Sequence, residues 1–166
     1  MPPEGTTVTF RRPAAGVRPR ALARFARRLQ SEVAGGRAFD CLITGDVELR
    51  RLNREFRGKD YATDVLSFRA NRSLTVAAQK RDATEPRPSG SGMYLGDIAI
   101  SIQRARAQGR KFGHGTEHEI RILMLHGLLH LLGMDHESDR GEMARAELRW
   151  RTKLGLRNGL IERVSA

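Results

Sequence analysis

Ile122-Leu-Met-Leu-His126-Gly127-Leu-Leu-His130-Leu-Leu-Gly133-Met-Asp135-His136 is the stretch on which the fold and chemistry of this chain turn. Its first part is apolar nearly all round, which predicts a helix buried at the centre of the fold. His126 and His130 are four residues apart, so on a helix their Cβ atoms share a face, about 5–6 Å apart. Two imidazoles placed so can converge on one ion with bonds of about 2.0–2.1 Å. A helix continuing at about 1.5 Å per residue would carry His136 some 15 Å away. Gly133 supplies the break, because glycine suits a left-handed turn at a helix end, and the returning chain can deliver His136 as a third ligand. Three unpaired histidines among so many leucines would leave polar ring nitrogens unsatisfied, and a metal removes that cost. We expect one zinc ion per chain on His126, His130 and His136. With no thiolate nearby, it would keep coordination positions open for water or substrate, the catalytic rather than the structural pattern. His114 and His118 lie off this arrangement and read as surface or capping residues.

Outward from that helix, Thr116 and Glu119 suggest a capping box at its start, with the helix running to about Leu132. A last helix is expected from Ser138 or Asp139 to just before Gly155, with Met143, Ala146, Trp150 and Leu154 on one face. On the N-terminal side, Gly96 to Ser101 reads as a strand and Ile102 to Gln108 as a helix. Residues 69–93, with Pro86, Pro88 and Ser89-Gly-Ser-Gly92, have the make-up of a mobile surface loop, within which Leu74 to Ala78 could extend a strand. Earlier still come a strand at Val65 to Phe68 and a helix from Asp46 burying Val47, Leu49, Leu52 and Phe56. Before these lie a strand at Phe39 to Thr44, a helix at Ala21 to Val33 with Leu22, Phe25, Leu29 and Val33 in a stripe, and a strand at Thr7 to Arg11. This irregular alternation favours an α+β fold, a sheet with helices packed on it around the metal-binding helix. The length of 166 residues suits a single domain spanning 1–166.

The chain carries 30 Lys+Arg against 19 Asp+Glu, a net charge of +11, and 26 of those cations are arginine. The guanidinium fork matches phosphate oxygens in pairs, so this excess points to nucleic acid. A GC-biased genome would explain the arginine share but not the net charge. The single cysteine, Cys41, excludes an internal disulfide framework, and no apolar leader or membrane-spanning run is visible, so a cytoplasmic protein without membrane partners is expected.

The histidine spacing is that of the metzincin peptidases, H-E-x-x-H-x-x-G-x-x-H, but their general base is the Glu after the first histidine, and here that position is Gly127. The full pattern instead resembles the YbeY endoribonucleases, bacterial rRNA maturation factors. His126 to His136 matches their H-G-x-L-H-L-x-G-x-D-H signature. Leu52-Asn-Arg-Glu-Phe56-Arg57-Gly-Lys59-Asp60-Tyr-Ala62-Thr-Asp64-Val-Leu-Ser-Phe68 resembles their L-N-x-x-[FW]-R-x-K-D-x-P-T-[DN]-V-L-S-F-P segment, and Leu95 to Ser101 their L-G-D-I-x-I-S strand. Ala62 and Arg69 depart from the pattern, standing where it has proline. The resemblance implies a mostly parallel, roughly four-stranded mixed sheet, zinc on the three histidines, and metal-dependent cleavage of single-stranded RNA. It also implies a role in maturing the 3′ end of 16S rRNA and in ribosome quality control, with rRNA and ribosomal particles as partners.

Charge developing on a phosphorane calls for a nearby guanidinium. Arg57, matching the family's R-x-K-D arginine, is the candidate catalytic residue, unless it merely pairs with Asp60 or Asp64. Lys59 is a weaker candidate for phosphate binding. Asp135 either orients a ligand histidine through its second ring nitrogen or shapes the turn, and Asp97 reads as fixing strand geometry. A zinc metallopeptidase and a non-catalytic ribosome-assembly factor with a structural metal are the rival functions. The sequence leaves the oligomeric state open.

Overall fold

Alternating burial along most strands, continuous burial at 96–101 and 122–129, and one-sided stripes along most helices lay out the architecture. The computed structural model describes residues 5–70 and 94–156. In chain order these form β1 (Thr7–Phe10), α1 (Pro19–Glu32), β2 (Ala38–Thr44), α2 (Asp46–Arg57), β3 (Val65–Arg69), β4 (Tyr94–Ser101), α3 (Ile102–Phe112), α4 (Thr116–Leu131) and α5 (Glu142–Leu154). The sheet has the order β1-β2-β4-β3. β1 and β4 both lie parallel to β2, whereas β3 runs antiparallel to β4 along the edge. The expected mostly parallel, four-stranded mixed sheet is therefore present.

The two faces of the sheet carry different cores. On one, Cys41, Ile43, Ile98 and Ile100 meet Leu22, Phe25 and Leu29 of α1 and the run Ile120–Leu131 of α4. On the other, Leu66, Phe68 and Ala99 pack under Leu49 and Leu52 of α2. α4 is the central helix, buried from Ile122 through Leu129 without interruption. Its burial all round fits its lack of a polar face. Among the described residues no helix is long and apolar enough to cross a membrane.

Several local expectations need correcting. Val47 is 85% exposed, because α2 buries Leu49, Leu52 and Asn53 and a residue two positions before Leu49 lies on the opposite side of a helix. The Thr116–Glu119 capping box does not form. Gly115 is the N-cap, without any side-chain cap, and Glu119 turns back to bond His114. α5 begins later than expected because Asp139 accepts hydrogen bonds from the amides of Gly141 and Met143, both at 2.8 Å, and holds a turn ahead of Glu142. The expected face of α5 does form: Met143, Ala146 and Leu154 are buried and Trp150 packs half-buried against the core, with Glu147 buried among them. The expected strand at Leu74–Ala78, and nearly all of the expected loop at 69–93, fall outside the described residues.

Candidate metal centre

α4 ends one residue after His130, and the way it ends builds the site. Gly133 has φ +97°, the Gly133 amide donates to the His130 carbonyl at 3.0 Å, and the Met134 amide donates to the Leu129 carbonyl at 3.1 Å. This pair of bonds is a Schellman turn, which satisfies the last carbonyls while reversing the chain. The reversal brings His136 back over the helix, 5.3 Å from the His126 ring and 5.4 Å from the His130 ring between centroids. One ligand atom from each of the three lies within 4.8 Å of the others, so the three could hold a metal ion. His126 is buried, His130 and His136 are half-buried, and Gly133 and Asp135 are exposed, so the cluster opens to solvent on the side of the turn.

The hydrogen bonds behind the rings decide which nitrogens face inward. His126 Nδ1 lies 3.1 Å from Glu147 Oε2, and His130 Nδ1 lies 3.0 Å from the Met134 carbonyl. A carboxylate and a carbonyl only accept, so both rings carry their proton on Nδ1 and present a bare Nε2. Those two Nε2 atoms are 3.2 Å apart. Two lone pairs at that separation repel unless a cation sits between them. Two nitrogens bound to one zinc at about 2.0–2.1 Å in tetrahedral geometry stand about 3.3 Å apart. His136 Nδ1 is buried and has no hydrogen-bonding partner among the described residues. The donor set therefore fits a metal. Burial, reinforced by the neighbouring His126 and His136 rings, pushes the His130 imidazole down to about 4, which keeps it neutral and able to ligate at pH 7.

Gly127 faces the sheet rather than the cluster. A Cβ there would come 2.9 Å from Ile98 Cγ2 and 3.1 Å from Ser67 Oγ, so the space beside it has no room for the glutamate a metzincin peptidase uses. Ser67 Oγ donates to the Gly127 carbonyl at 2.9 Å, and the Ser67 carbonyl accepts from Arg57 Nη2 at 3.3 Å. One serine thus joins Arg57, at the end of α2, to the residue that follows the first histidine. Arg57 is exposed and makes no ion pair among the described residues. Asp60 is held by Arg50 at 2.9 and 3.1 Å, and Asp64 accepts from the Val65 amide and from Gln108. Lys59 is exposed just past the left-handed Gly58 that ends α2.

Asp135 accepts from the Glu137 amide at 3.1 Å and the Ser138 hydroxyl at 3.0 Å. Those bonds hold its carboxyl below the usual range, and its hydrogen bonding is spent on the turn rather than on a ring. The groups that orient the rings are Glu147 and the Met134 carbonyl, which sequence reading missed. A signal for the first was present: Glu147 falls between Met143, Ala146 and Trp150, an acid within an apolar stripe. His114, expected at the surface, has a side chain only 5% exposed, bonded at 2.6 Å to the fully buried Glu119. Asp97 is buried in β4 and accepts from the Tyr94 hydroxyl at 2.5 Å.

Comparisons with known proteins point to one family. A family model described as Endoribonuclease YbeY matches residues 18–155. An Endoribonuclease YbeY of Solibacter usitatus is 63% identical over 164 residues, covering 99% of this chain and 98% of the relative. One of Nautilia profundicola is 45% identical over 124 residues, covering 75% and 77%, and one of Koribacter versatilis 39% over 158 residues, covering 95% and 91%. The solution structure of TM1509 from Thermotoga maritima shares the fold with a TM-score of 0.52 and 22% identity, covering 89% of this chain and 93% of that one.

Proposed function

The chain belongs to the endoribonuclease YbeY family, and from that membership we propose that it is a metal-dependent endoribonuclease acting on single-stranded RNA. Its task is the maturation of the 16S rRNA 3′ end and ribosome quality control, in the cytoplasm and on ribosomal particles. The observation that carries the reading is the pair of bare Nε2 atoms of His126 and His130, 3.2 Å apart, with His136 closing the cluster. We assign zinc to these three ligands, one ion per chain. When bound, such an ion polarises a phosphoryl oxygen and lowers the pKa of a water.

The chain's own residues supply the rest. Glu147 and the Met134 carbonyl hold the two rings in the ligating tautomer. Arg57, anchored on the Ser67 carbonyl, offers its remaining N–H donors to charge developing on the scissile phosphate. Lys59, on the exposed loop beyond α2, adds positive charge to the approach. A peptidase reading is disfavoured by Gly127, whose Cβ position is occupied by Ile98 and Ser67.

The test is purified protein on a single-stranded rRNA fragment, with and without chelator, beside His130→Ala. Cleavage should be lost in both the chelated and the variant protein. Persistent cleavage in either would refute the metal-dependent reading, and chelator-sensitive cleavage of peptides instead of RNA would revive the peptidase.

A further inference from the structure

Arg69 closes β3 at a position where the family pattern has proline, and its surroundings give it a use. Side chains alternate across a strand, so Arg69 shares a face with Ser67. That face lies on α4: Ser67 Oγ donates to the Gly127 carbonyl at 2.9 Å, and Arg69 Nη2 donates to the His130 carbonyl at 3.4 Å. Two residues of strand advance about 6.6 Å and three residues of helix about 4.5 Å. β3 therefore runs alongside α4 toward its C-terminal end and delivers Arg69 to the rim of the histidine cluster. A Cβ on Gly133 would lie 3.5 Å from the same Nη2, which places the guanidinium over the turn between His130 and His136.

This cation is not neutralised by a carboxylate among the described residues. Other arginines are: Arg18 by Glu117, Arg28 by Glu32, Arg50 by Asp60 and Arg51 by Glu55. Arg69 is exposed, and its one long contact engages one of five N–H donors. The partial negative charge of a helix C-terminus explains why it docks there. Helical side chains lean toward the N-terminus and carbonyls point the other way, so a guanidinium on the His130 carbonyl is offset from the ring nitrogens of the cluster. Arg57 docks two residues earlier in the same strand, on Ser67.

We propose that Arg69 is a phosphate-positioning residue that holds a non-scissile phosphate of the single-stranded RNA, while Arg57 faces the scissile one. This rests on the ribonuclease reading of the site. The alternative is a purely structural cap on α4.

The test measures binding of a single-stranded DNA 12-mer to the metal-loaded protein across a salt series, since DNA carries the same phosphates without being a ribonuclease substrate. Cleavage of a single-stranded RNA is read in parallel. Arg69→Gln should weaken 12-mer binding about tenfold at low salt and lower the steepness of log Kd against log salt by about 0.7, the contribution of one phosphate contact. Arg69→Lys should keep that steepness, and metal content should not change in either variant. An unchanged salt slope in Arg69→Gln, with only a lower melting temperature, would overturn the assignment in favour of the cap. If the parent protein cleaves no RNA, the ribonuclease reading fails, yet the salt slope still reports on Arg69.

Discussion

At the scale of single residues, Arg57 and the histidines separate cleanly by what their loss should do. Arg57 touches the Ser67 carbonyl and no carboxylate among the described residues, so its removal leaves no buried charge unpaired. Arg57→Ala should keep its metal and its melting temperature while single-turnover cleavage falls by roughly 10²–10³, and Arg57→Lys should restore little, because a point charge does not reproduce a fork. Near-normal turnover would remove it from the reaction. Glu147 acts through His126. Glu147→Gln should weaken zinc affinity by roughly 10–100-fold in competition with a chromophoric chelator, whereas unchanged affinity would reduce Glu147 to a packing role. His130 gives a pH signature. Burial, with the neighbouring rings, lowers it to about 4, and in the unfolded chain it titrates near about 6.5. Between those values the unfolded chain binds more protons. The metal-free protein should therefore keep this share of its stability above about pH 6.5 and lose it as pH falls toward 4. Melting temperatures of chelated protein across that window should drop more steeply than those of His130→Ala; parallel curves would contradict the assignment. The histidine cluster was legible in the sequence because i, i+4 spacing and a glycine break fix geometry locally. Glu147 and Arg69 were not, since their partners lie 21 and 61 positions away.

At the scale of elements, the site depends on how closely α4 lies on the sheet. Gly127 sits where a methyl group would meet Ile98 and Ser67, so helix and sheet approach each other at that point. Alanine is the better helix former by about 1 kcal/mol, but overpacking costs roughly 1–3 kcal/mol. Gly127→Ala should lower the melting temperature and, by pushing α4 off β3, loosen the register between Ser67 and the histidines. A raised melting temperature with full cleavage would show that the gap can relax. Apolar patterning and chain breakers identified every helix and strand among the described residues. What they misjudged were ends and faces. Thr116 and Glu119 have capping-box spacing, yet a buried partner, His114, gives Glu119 a stronger bond than the helix end offers. Val47 is apolar but out of phase with the stripe that α2 buries, so position overrode hydrophobicity.

At the scale of the whole molecule, charge and topology bear on the same task. The net charge of +11 favours a polyanion at long range, and Arg57 and Arg69, which have no acidic partner among the described residues, give it a local focus near the end of β3. The edge position of β3 matters because it leaves the Ser67 carbonyl open to Arg57 and brings Arg69 to the end of the central helix. Composition alone pointed to an anionic partner. It could not show where the anion would lie, because that follows from the sheet order, which pairs strands distant in sequence. All of this converges on the claim that one ion, held by His126, His130 and His136, is what the ribonuclease needs. The direct measurement titrates zinc into metal-depleted protein and follows bound metal and single-turnover cleavage of single-stranded RNA in the same samples. Cleavage should rise in proportion to bound zinc, level off at one equivalent per chain, and be absent from a His126→Ala/His130→Ala double variant that binds no zinc. Full cleavage before any zinc is added, or a full equivalent of zinc on the double variant, would contradict it.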